Sequence, residues 1–250
     1  MVPKNFGKKI SRFTDQLLLV SWGVLFITLG TDGPLSDLLH PAFRVTCLFA
    51  GIGMCVLALA MSFIPTSPRL AFTTPAITQR AILFIPLLLV LTTKPVGLSR
   101  SAILNRGIGI EPQLLPNSSR KNSHVYRDES GIWQITPLDA WLFSQSEMER
   151  EDFSNTRISI TGQLLLPAKD YKPTTPIIFR LWVNCCVADA TAIAIKLNNF
   201  NTNAPSKIED LSWIKVQGIL HFSESPPHTP SITITDWYPV SPPAEKYLFR

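Results

Sequence analysis

The 250-residue chain has fewer charges than an ordinary soluble domain, with 16% charged residues against roughly 25%. Its mean hydropathy is positive, at +0.18, and its formal net charge is +5. Four cysteines are too few for a disulfide scaffold. Most of the basic excess precedes the first apolar run, and no basic stripe with interleaved aromatic residues follows, so we expect no nucleic-acid partner.

Charge is distributed unevenly along the chain. Residues 16–91 hold only five charged side chains, whereas the sequence after Lys94 has the composition of a soluble protein. Apolar residues at this density favour hydrocarbon over water. We therefore predict an α+β membrane protein with a transmembrane helical region at residues 1–94, a linker at 95–133 and a soluble domain at 134–250.

Three apolar segments are predicted to cross the bilayer as helices. Residues 45–64 are uncharged and long enough for a span of about 20 residues. Residues 16–31 are slightly short, and a cleavable signal peptide is the alternative, although no small-x-small cleavage site follows them. Residues 81–93 are barely long enough, and Pro86 is expected to kink that helix.

Basic residues near the predicted spans set the expected orientation. With three crossings and a cytoplasmic N-terminus, six basic residues lie inside and four outside, which favours this arrangement. The C-terminal domain is then extracytoplasmic. If residues 81–93 lie in the membrane interface instead, the domain is cytoplasmic. The inside residues are Lys4, Lys8, Lys9, Arg12, Arg69 and Arg80, and the outside residues are Arg44, Lys94, Arg100 and Arg106.

A short amphipathic helix is predicted to start the soluble domain. Thr136 is an N-cap candidate, followed by proline at the first helical position and a carboxylate at the third. Apolar spacing continues the helix to about Arg150. The face expected to pack on the following sheet consists of Leu138, Trp141, Leu142, Gln145 and Met148.

Five strand-like runs follow, separated by turn-rich breaks. Gly162 and Gly218 interrupt two of the longer runs, where a β-bulge or a barrel corner is expected. Five short, bent strands predict a small antiparallel β-barrel of the oligonucleotide/oligosaccharide-binding (OB) type with one flanking helix, and a compact sandwich is the alternative. The predicted strands are residues 156–166, 177–184, 192–197, 213–222 and 232–238.

The adjacent cysteines Cys185 and Cys186 are the most unusual chemical feature of the soluble part. Neighbouring side chains on a strand point to opposite faces, so the two sulfurs can share a ligand only if the strand ends or twists there. A disulfide between adjacent residues would be strained and readily reduced, which favours thiol exchange over stabilisation. Two thiolates could instead bind a soft divalent metal such as zinc, with Asp189 or His221 completing the shell.

A purely structural role is the third interpretation of these residues. One cysteine would then be core, the other would contact a neighbouring element, and His221 would be an outward polar residue of its strand. Cys47 and Cys55 lie in an apolar segment and are interpreted as helix-packing or lipid-facing residues. No nucleophile elbow, phosphate loop, dinucleotide fingerprint or HExxH helix is present, so we do not expect an enzyme.

Several motifs are shared with a known family. They are the N-terminal apolar spans, residues 95–99 (PVGLS) leading to residues 105–107 (NRG), residues 179–190 (FRLWVNCCVADA) and residues 213–218 (WIKVQG). Together they resemble the YcgQ-like family of permease subunits. The resemblance implies a membrane subunit that works beside a separate polytopic permease, with Cys185, Cys186 and Asp189 as a functional cluster. It does not identify the cargo.

Two functions are therefore expected from the sequence. The first is a non-enzymatic transport accessory, whose spans dock on a permease in the lipid bilayer and whose outer domain captures or gates cargo. The second is a membrane-tethered thiol-redox or soft-metal-handling domain that works without a permease. A structural envelope protein with no ligand is a further alternative.

Overall fold

The computed structural model of the protein describes most of the chain, and its two compact units are treated separately below. One unit is Met1–Gly97 together with Cys185–Val187, and the other is Leu98–Asn184 together with Ala188–Arg250. The family-like segments 95–99 and 106–107 lie outside the described residues. The described residues are 4–31, 39–63, 74–92, 100–105, 108–109, 125–167, 173–201 and 208–249.

The described part of the first unit consists mainly of helices α1 (Lys4–Gly30), α2 (Pro41–Phe63) and α3 (Thr74–Thr92). Two stretches, Phe13–Gly30 and Pro41–Phe63, are long and apolar enough to cross a membrane, and only 11% of each is buried within the protein. Burying apolar surface of this extent in hydrocarbon is favourable. Large apolar side chains that face outward include Leu17, Val24, Phe49, Val56, Phe63, Ile82 and Leu88.

Two helices are long and apolar enough to cross a membrane, one fewer than the three predicted. The apolar run of α3 extends from Arg80 to Leu89. At about 1.5 Å per residue it covers roughly 15 Å, about half of a hydrocarbon core of about 30 Å. Pro86 lies inside α3, as expected.

Glycines set the contact between α1 and α2. A Cβ atom at Gly23 would lie 2.6 Å from the Sγ atom of Cys55, and a Cβ at Gly51 would lie 2.6 Å from the carbonyl oxygen of Gly23. A Cβ at Gly30 would lie 2.7 Å from the carbonyl oxygen of Arg44. Backbones approach this closely only where small residues face each other, a common arrangement between membrane helices.

Polar bonds connect α1 to α3. The guanidinium of Arg80 forms a two-pronged ion pair with Asp15, with nitrogen–oxygen distances of 2.6 and 2.9 Å. The indole Nε1–H of Trp22 donates to the carbonyl oxygen of Leu83 at 3.2 Å. From the Asp15–Arg80 contact to the Trp22–Leu83 contact, the residue number increases on both helices, so α1 and α3 run parallel.

The close contact between α1 and α2 makes a matched pair of substitutions informative. Gly51→Ala is expected to destabilise the helix pair by about 1–3 kcal/mol, because its methyl group meets the backbone of α1. Gly53→Ala is the control, since nothing lies within 4 Å of a Cβ at Gly53. Thermal unfolding of the full chain in detergent, followed by circular dichroism, measures the difference. Equal midpoints for the two variants would contradict the proposed packing.

The second unit begins with short elements and continues into a barrel. The short elements are α4 (Arg100–Asn105), β1 (Ile108–Gly109), β2 (Tyr126–Arg127), β3 (Trp133–Ile135), α5 (Pro137–Gln145) and α6 (Glu147–Phe153). The barrel strands are β4 (Arg157–Leu165), β5 (Ile177–Val183), β6 (Thr191–Asn198), β7 (Trp213–Phe222) and β8 (Pro230–Pro239), followed by β9 (Leu248–Phe249). The predicted strand positions are confirmed to within two residues at each end.

The five strands β4 to β8 close into a barrel because β4 has two partners. It pairs with β7 over Arg157–Gln163 and with β5 over Gln163–Leu165. The ring is completed by β5 with β6, β6 with β8, and β8 with β7. The prediction of an antiparallel barrel is wrong, because β6 and β8 pair in parallel. A closed ring with an odd number of strands cannot alternate in direction throughout, so one neighbouring pair must be parallel.

Glycines mark the two irregular points of the barrel, as predicted. Gly218 lies at a register shift between β7 and β8, which leaves Thr235 as the extra residue. Gly162 lies next to the residue at which β4 changes partner. A Cβ there would be 2.8 Å from the carbonyl oxygen of Phe179, so only glycine lets β5 approach this closely.

The predicted helix at the start of the soluble domain is confirmed at its beginning and differs at its end. Thr136 and Asp139 form a capping box before α5, with a 2.8 Å bond from the Thr136 N–H to the Asp139 carboxylate. The helix is interrupted at Ser146, so α5 and α6 are separate helices. Trp141 is buried as expected, but Met148 is 69% exposed because it lies beyond that break.

The barrel interior is filled by branched aliphatic side chains, and α5 covers it. Phe143 and Ala140 of α5 join this core, and Trp141 donates its indole N–H to the carbonyl oxygen of Ala194 at 2.8 Å. Fully buried members from the strands are Ile158, Ile160, Leu164, Ile178, Ile195, Ile214, Val216, Leu220 and Ile232.

A second apolar cluster lies on the outer face of β5 and β6. Ile103 of α4, a helix within the predicted linker, is 1% exposed in this cluster, and Arg100 of the same helix forms an ion pair with Asp210. Tyr247 and Phe249 pack against the same cluster. The second unit therefore includes elements that precede the barrel strands in the sequence and elements that follow them.

Arg180 fastens the C-terminal segment to β5. Its side chain is 9% exposed, and its Nη2 group donates to the carbonyl oxygens of Glu245 and Tyr247. Trp182 and Val183 of β5 pair in parallel with β9. Because these bonds involve a buried cation, each is expected to contribute more than a neutral hydrogen bond.

Removing the Arg180 guanidinium is expected to loosen residues 245–249. In Arg180→Met, amide hydrogen exchange in this segment should accelerate by about tenfold or more, since hydrogen bonds to charged groups contribute about 1.5–3 kcal/mol. Arg157→Met, at an exposed position of β4, is the control. Mass-spectrometric exchange on the full chain makes the comparison, and equal rates in the two variants would show that Arg180 does not hold the segment.

Candidate functional site

The vicinal cysteines lie in the connection between β5 and β6. The apolar, β-branched and aromatic run of β5 ends at Val183, and residues 184–185 form a bend. A single turn of 3-10 helix, Val187–Asp189, then leads into β6. The strand therefore ends before the cysteines, which meets the condition for two adjacent side chains to share a ligand.

The two thiol groups point to the same region of space. The Sγ atoms of Cys185 and Cys186 are 3.8 Å apart, both side chains are partly exposed, and neither forms a disulfide. Sulfur atoms in a disulfide are about 2.05 Å apart, so the two thiols are in contact with each other without a covalent bond.

Asp189 stabilises the connection. One carboxylate oxygen of Asp189 accepts a hydrogen bond from the backbone N–H of Asn184 at 3.3 Å. This bond joins the residue after β5 to the last residue of the 3-10 turn, and so closes the loop of chain that contains the cysteines. The geometry gives Asp189 a positioning role beside its predicted role as a ligand.

Within the first unit, the cysteine segment is also held by its backbone. The N–H of His40 donates to the carbonyl oxygen of Cys185 at 3.0 Å, and Leu39 forms an isolated antiparallel bridge with Cys186. These bonds use main-chain atoms only.

His221, the other predicted ligand, lies at a different part of the barrel. It pairs with Ser231 of β8, which in turn pairs with Lys196 near the end of β6. The cysteine connection precedes Thr191 at the start of β6. Five residues of strand separate Thr191 from Lys196, or about 16 Å, so His221 lies on the strands that pair with the far end of β6.

No cluster with three metal-binding side chains is found among the described residues. Groups of three or more His, Cys, Asp or Glu side chains able to hold a metal ion are absent from this part of the chain. The structure therefore brings together Cys185 and Cys186, keeps Asp189 in the same connection and places His221 elsewhere. The ligand roles of Asp189 and His221 stay predictions.

Arg180 is a buried charged residue for which the sequence pattern predicts no role. Burial lowers its pKa, and the charges of Glu245 and Asp139 raise it in part. Its guanidinium also lies 5.9 Å from the ring centroid of Trp213. The sequence does contain a signal for this residue, because Arg180 lies between two apolar strand residues. A charged side chain in such a position is usually paired or functional.

Comparison with known proteins identifies the C-terminal part of the chain. Residues 142–250 match the family model described as the DUF1980 C-terminal domain, an uncharacterised family. The matched region contains all five barrel strands, Arg180 and both cysteines. No curated protein matches the chain. Residues 142–250 are therefore similar to a family with no known activity, and the YcgQ-like assignment stays an expectation.

Proposed function

We propose that this protein is a non-enzymatic, membrane-anchored accessory subunit of a transport system, with an extracytoplasmic OB-like barrel that binds cargo or metal through Cys185 and Cys186. The observation that carries this proposal is the presence in one chain of two outward-facing apolar helices, a barrel, and two adjacent, partly exposed cysteines. The lipid bilayer and a polytopic permease are the proposed partners.

The helices support an accessory role better than a transporting role. A transport path normally requires polar or ionisable groups that face a water-filled route. In the described helices, Asp15 and Arg80 are paired with each other near the start of the apolar stretches. A separate multi-span protein would then provide the path, and the outward apolar side chains would contact that protein and lipid.

The direction of α3 supports the proposed topology. Since α3 runs parallel to α1, it enters the membrane from the side on which α1 begins. The proposal is that α3 completes a third crossing next to α1, where the ion pair and the Trp22 bond hold it. With a cytoplasmic N-terminus, the barrel is then extracytoplasmic.

The strand order supports an OB-like binding domain. Around the barrel, β4 pairs with β5, β5 with β6, β6 with β8, β8 with β7, and β7 with β4. Numbered in chain order, this is the strand order 1-2-3-5-4-1. OB barrels are five-stranded Greek-key barrels, and many of them bind ligands. Fold likeness does not define the ligand, so the cysteine pair is the basis for assigning one here.

A tethered thiol-redox or soft-metal domain that works without a permease is the second candidate. The 3.8 Å sulfur–sulfur distance favours it, because the two thiols need little movement to react with each other or to share an ion. Recovery of the chain with or without a multi-span partner separates the two functions.

Co-purification tests the accessory role. The full chain, extracted in mild detergent from its native membrane, is expected to be recovered with one multi-span protein in fixed proportion. Mass spectrometry of the complex identifies the partner, and Phe49→Arg, which alters an outward position of α2, should reduce its recovery. Recovery of the chain alone, with no multi-span protein, would favour the second candidate.

Thiol labelling in intact cells tests the topology. A membrane-impermeant maleimide is expected to label Cys185 and Cys186 in a chain that carries Cys47→Ser and Cys55→Ser, because the barrel is proposed to face outward. The control is the same chain with Cys185→Ser and Cys186→Ser in addition, which should stay unlabelled. Labelling that occurs only after cell lysis would place the barrel in the cytoplasm.

A further inference from the structure

The spacing of the two thiols matches one type of ligand. Two sulfurs bound to a tetrahedral metal ion at about 2.3 Å each are about 3.8 Å apart. The observed separation of the Cys185 and Cys186 sulfurs is 3.8 Å. A linear, two-coordinate ion with the same bond lengths would require about 4.6 Å, and a disulfide requires about 2.05 Å. The separation therefore fits two sulfur ligands of a tetrahedral ion, and it is also the distance of two protonated thiols in contact, so metal titration decides between the two.

The surrounding chain explains how adjacent residues reach this spacing. The bend at residues 184–185 and the 3-10 turn Val187–Asp189 turn both side chains away from a strand geometry. The bond from Asn184 to Asp189 closes the connection, and the backbone bond from His40 fixes Cys185. Neither bond uses a sulfur atom, so both can persist when an ion binds.

We propose that Cys185 and Cys186 bind one thiophilic divalent cation of the zinc type as a two-thiolate, exchangeable site. The proposal rests on the proposed function in taking this connection as the binding site, and it names the class of ligand. Each thiol gives up its proton to solvent as its sulfur binds the ion, and no oxidation or reduction takes place.

The number of protein ligands determines what such a site does. Structural zinc sites usually have four protein ligands, which hold the ion permanently. Among the described residues, no third His, Cys, Asp or Glu side chain completes a group with the two thiols. The proposal takes the other two positions of the tetrahedron to be filled by water or other small ligands. An ion held in this way can be received and released, which suits a transport accessory.

Cobalt is a suitable probe, because tetrahedral Co²⁺ has intense visible bands and thiolate ligands add charge-transfer absorption in the near ultraviolet. The reduced full chain in detergent is titrated with Co²⁺ alone. The expected result is one Co²⁺ per chain with both spectral features, and loss of both on addition of Zn²⁺. A spectrum of octahedral Co²⁺ without thiolate absorption would overturn the proposal.

Matched cysteine substitutions locate the site. Cys185→Ser and Cys186→Ser are each expected to weaken Co²⁺ binding by more than about tenfold, since even residues that only support metal ligands contribute about 10- to 100-fold. Cys47→Ser with Cys55→Ser should leave binding unchanged. Unchanged binding in either of the first two variants would also overturn the proposal.

Further variants test the number of protein ligands. His221→Ala should bind Co²⁺ as the parent chain does, because His221 lies on β7 and joins no metal-binding group of three or more side chains among the described residues. Circular dichroism of each variant shows whether the barrel has folded. Tenfold weaker binding in folded His221→Ala would contradict a two-thiolate site.

The outcome is separable from that of the proposed function. Failure of Co²⁺ binding with a permease still co-purified would remove the metal and keep the accessory role. Metal binding in a chain recovered without a permease would keep the site and remove that role.

Discussion

The change of partner along β4 is the constraint on which the soluble unit depends. Gln163 is paired both with Trp213 of β7 and with Phe179 of β5, so the change of partner takes place at a single residue. This requires Gly162 as its neighbour, because a side chain there would meet the backbone of β5. β4 thereby pairs with the first residues of β5, and the other end of β5, at Val183, leads into the cysteine connection.

The same closure explains which parts of the fold could be predicted from the sequence. Five strands alternate clearly enough to be located within two residues, and the capping box at Thr136 marks the start of α5. The parallel pair β6–β8 could not be found from alternation, because pairing direction depends on contacts distant in sequence. The two- and three-residue strands β1, β2 and β3 are too short to show any period.

The candidate site was predictable in part for the same reason. Adjacent cysteines followed by Ala-Asp-Ala predicted a turn with two thiols, and local structure determines their spacing. The relation of His221 to that turn depends on strand order around the barrel, which the sequence pattern does not contain. The role of Arg180 in holding residues near Glu245 also required the folded chain, since the partners are 65 residues apart.

In the first unit, composition predicted three spanning helices, and two of them have an apolar run long enough to cross a bilayer. Apolar length identifies a helix that can span a bilayer on its own, and α3 has too short an apolar run for that criterion. Its contacts with α1, through Arg80 and Trp22, are tertiary and cannot be inferred from hydropathy. The role of each glycine also cannot be inferred from hydropathy. Gly51 faces the backbone of α1, whereas nothing lies within 4 Å of a Cβ at Gly53.

X-ray absorption at the zinc edge measures the ligands of a bound ion most directly. For the full chain loaded with one Zn²⁺, two sulfur atoms at about 2.3 Å and a remaining shell of nitrogen or oxygen are expected. A shell of nitrogen and oxygen alone, with the chain folded and reduced, would contradict the account of the cysteine connection as a metal-binding site.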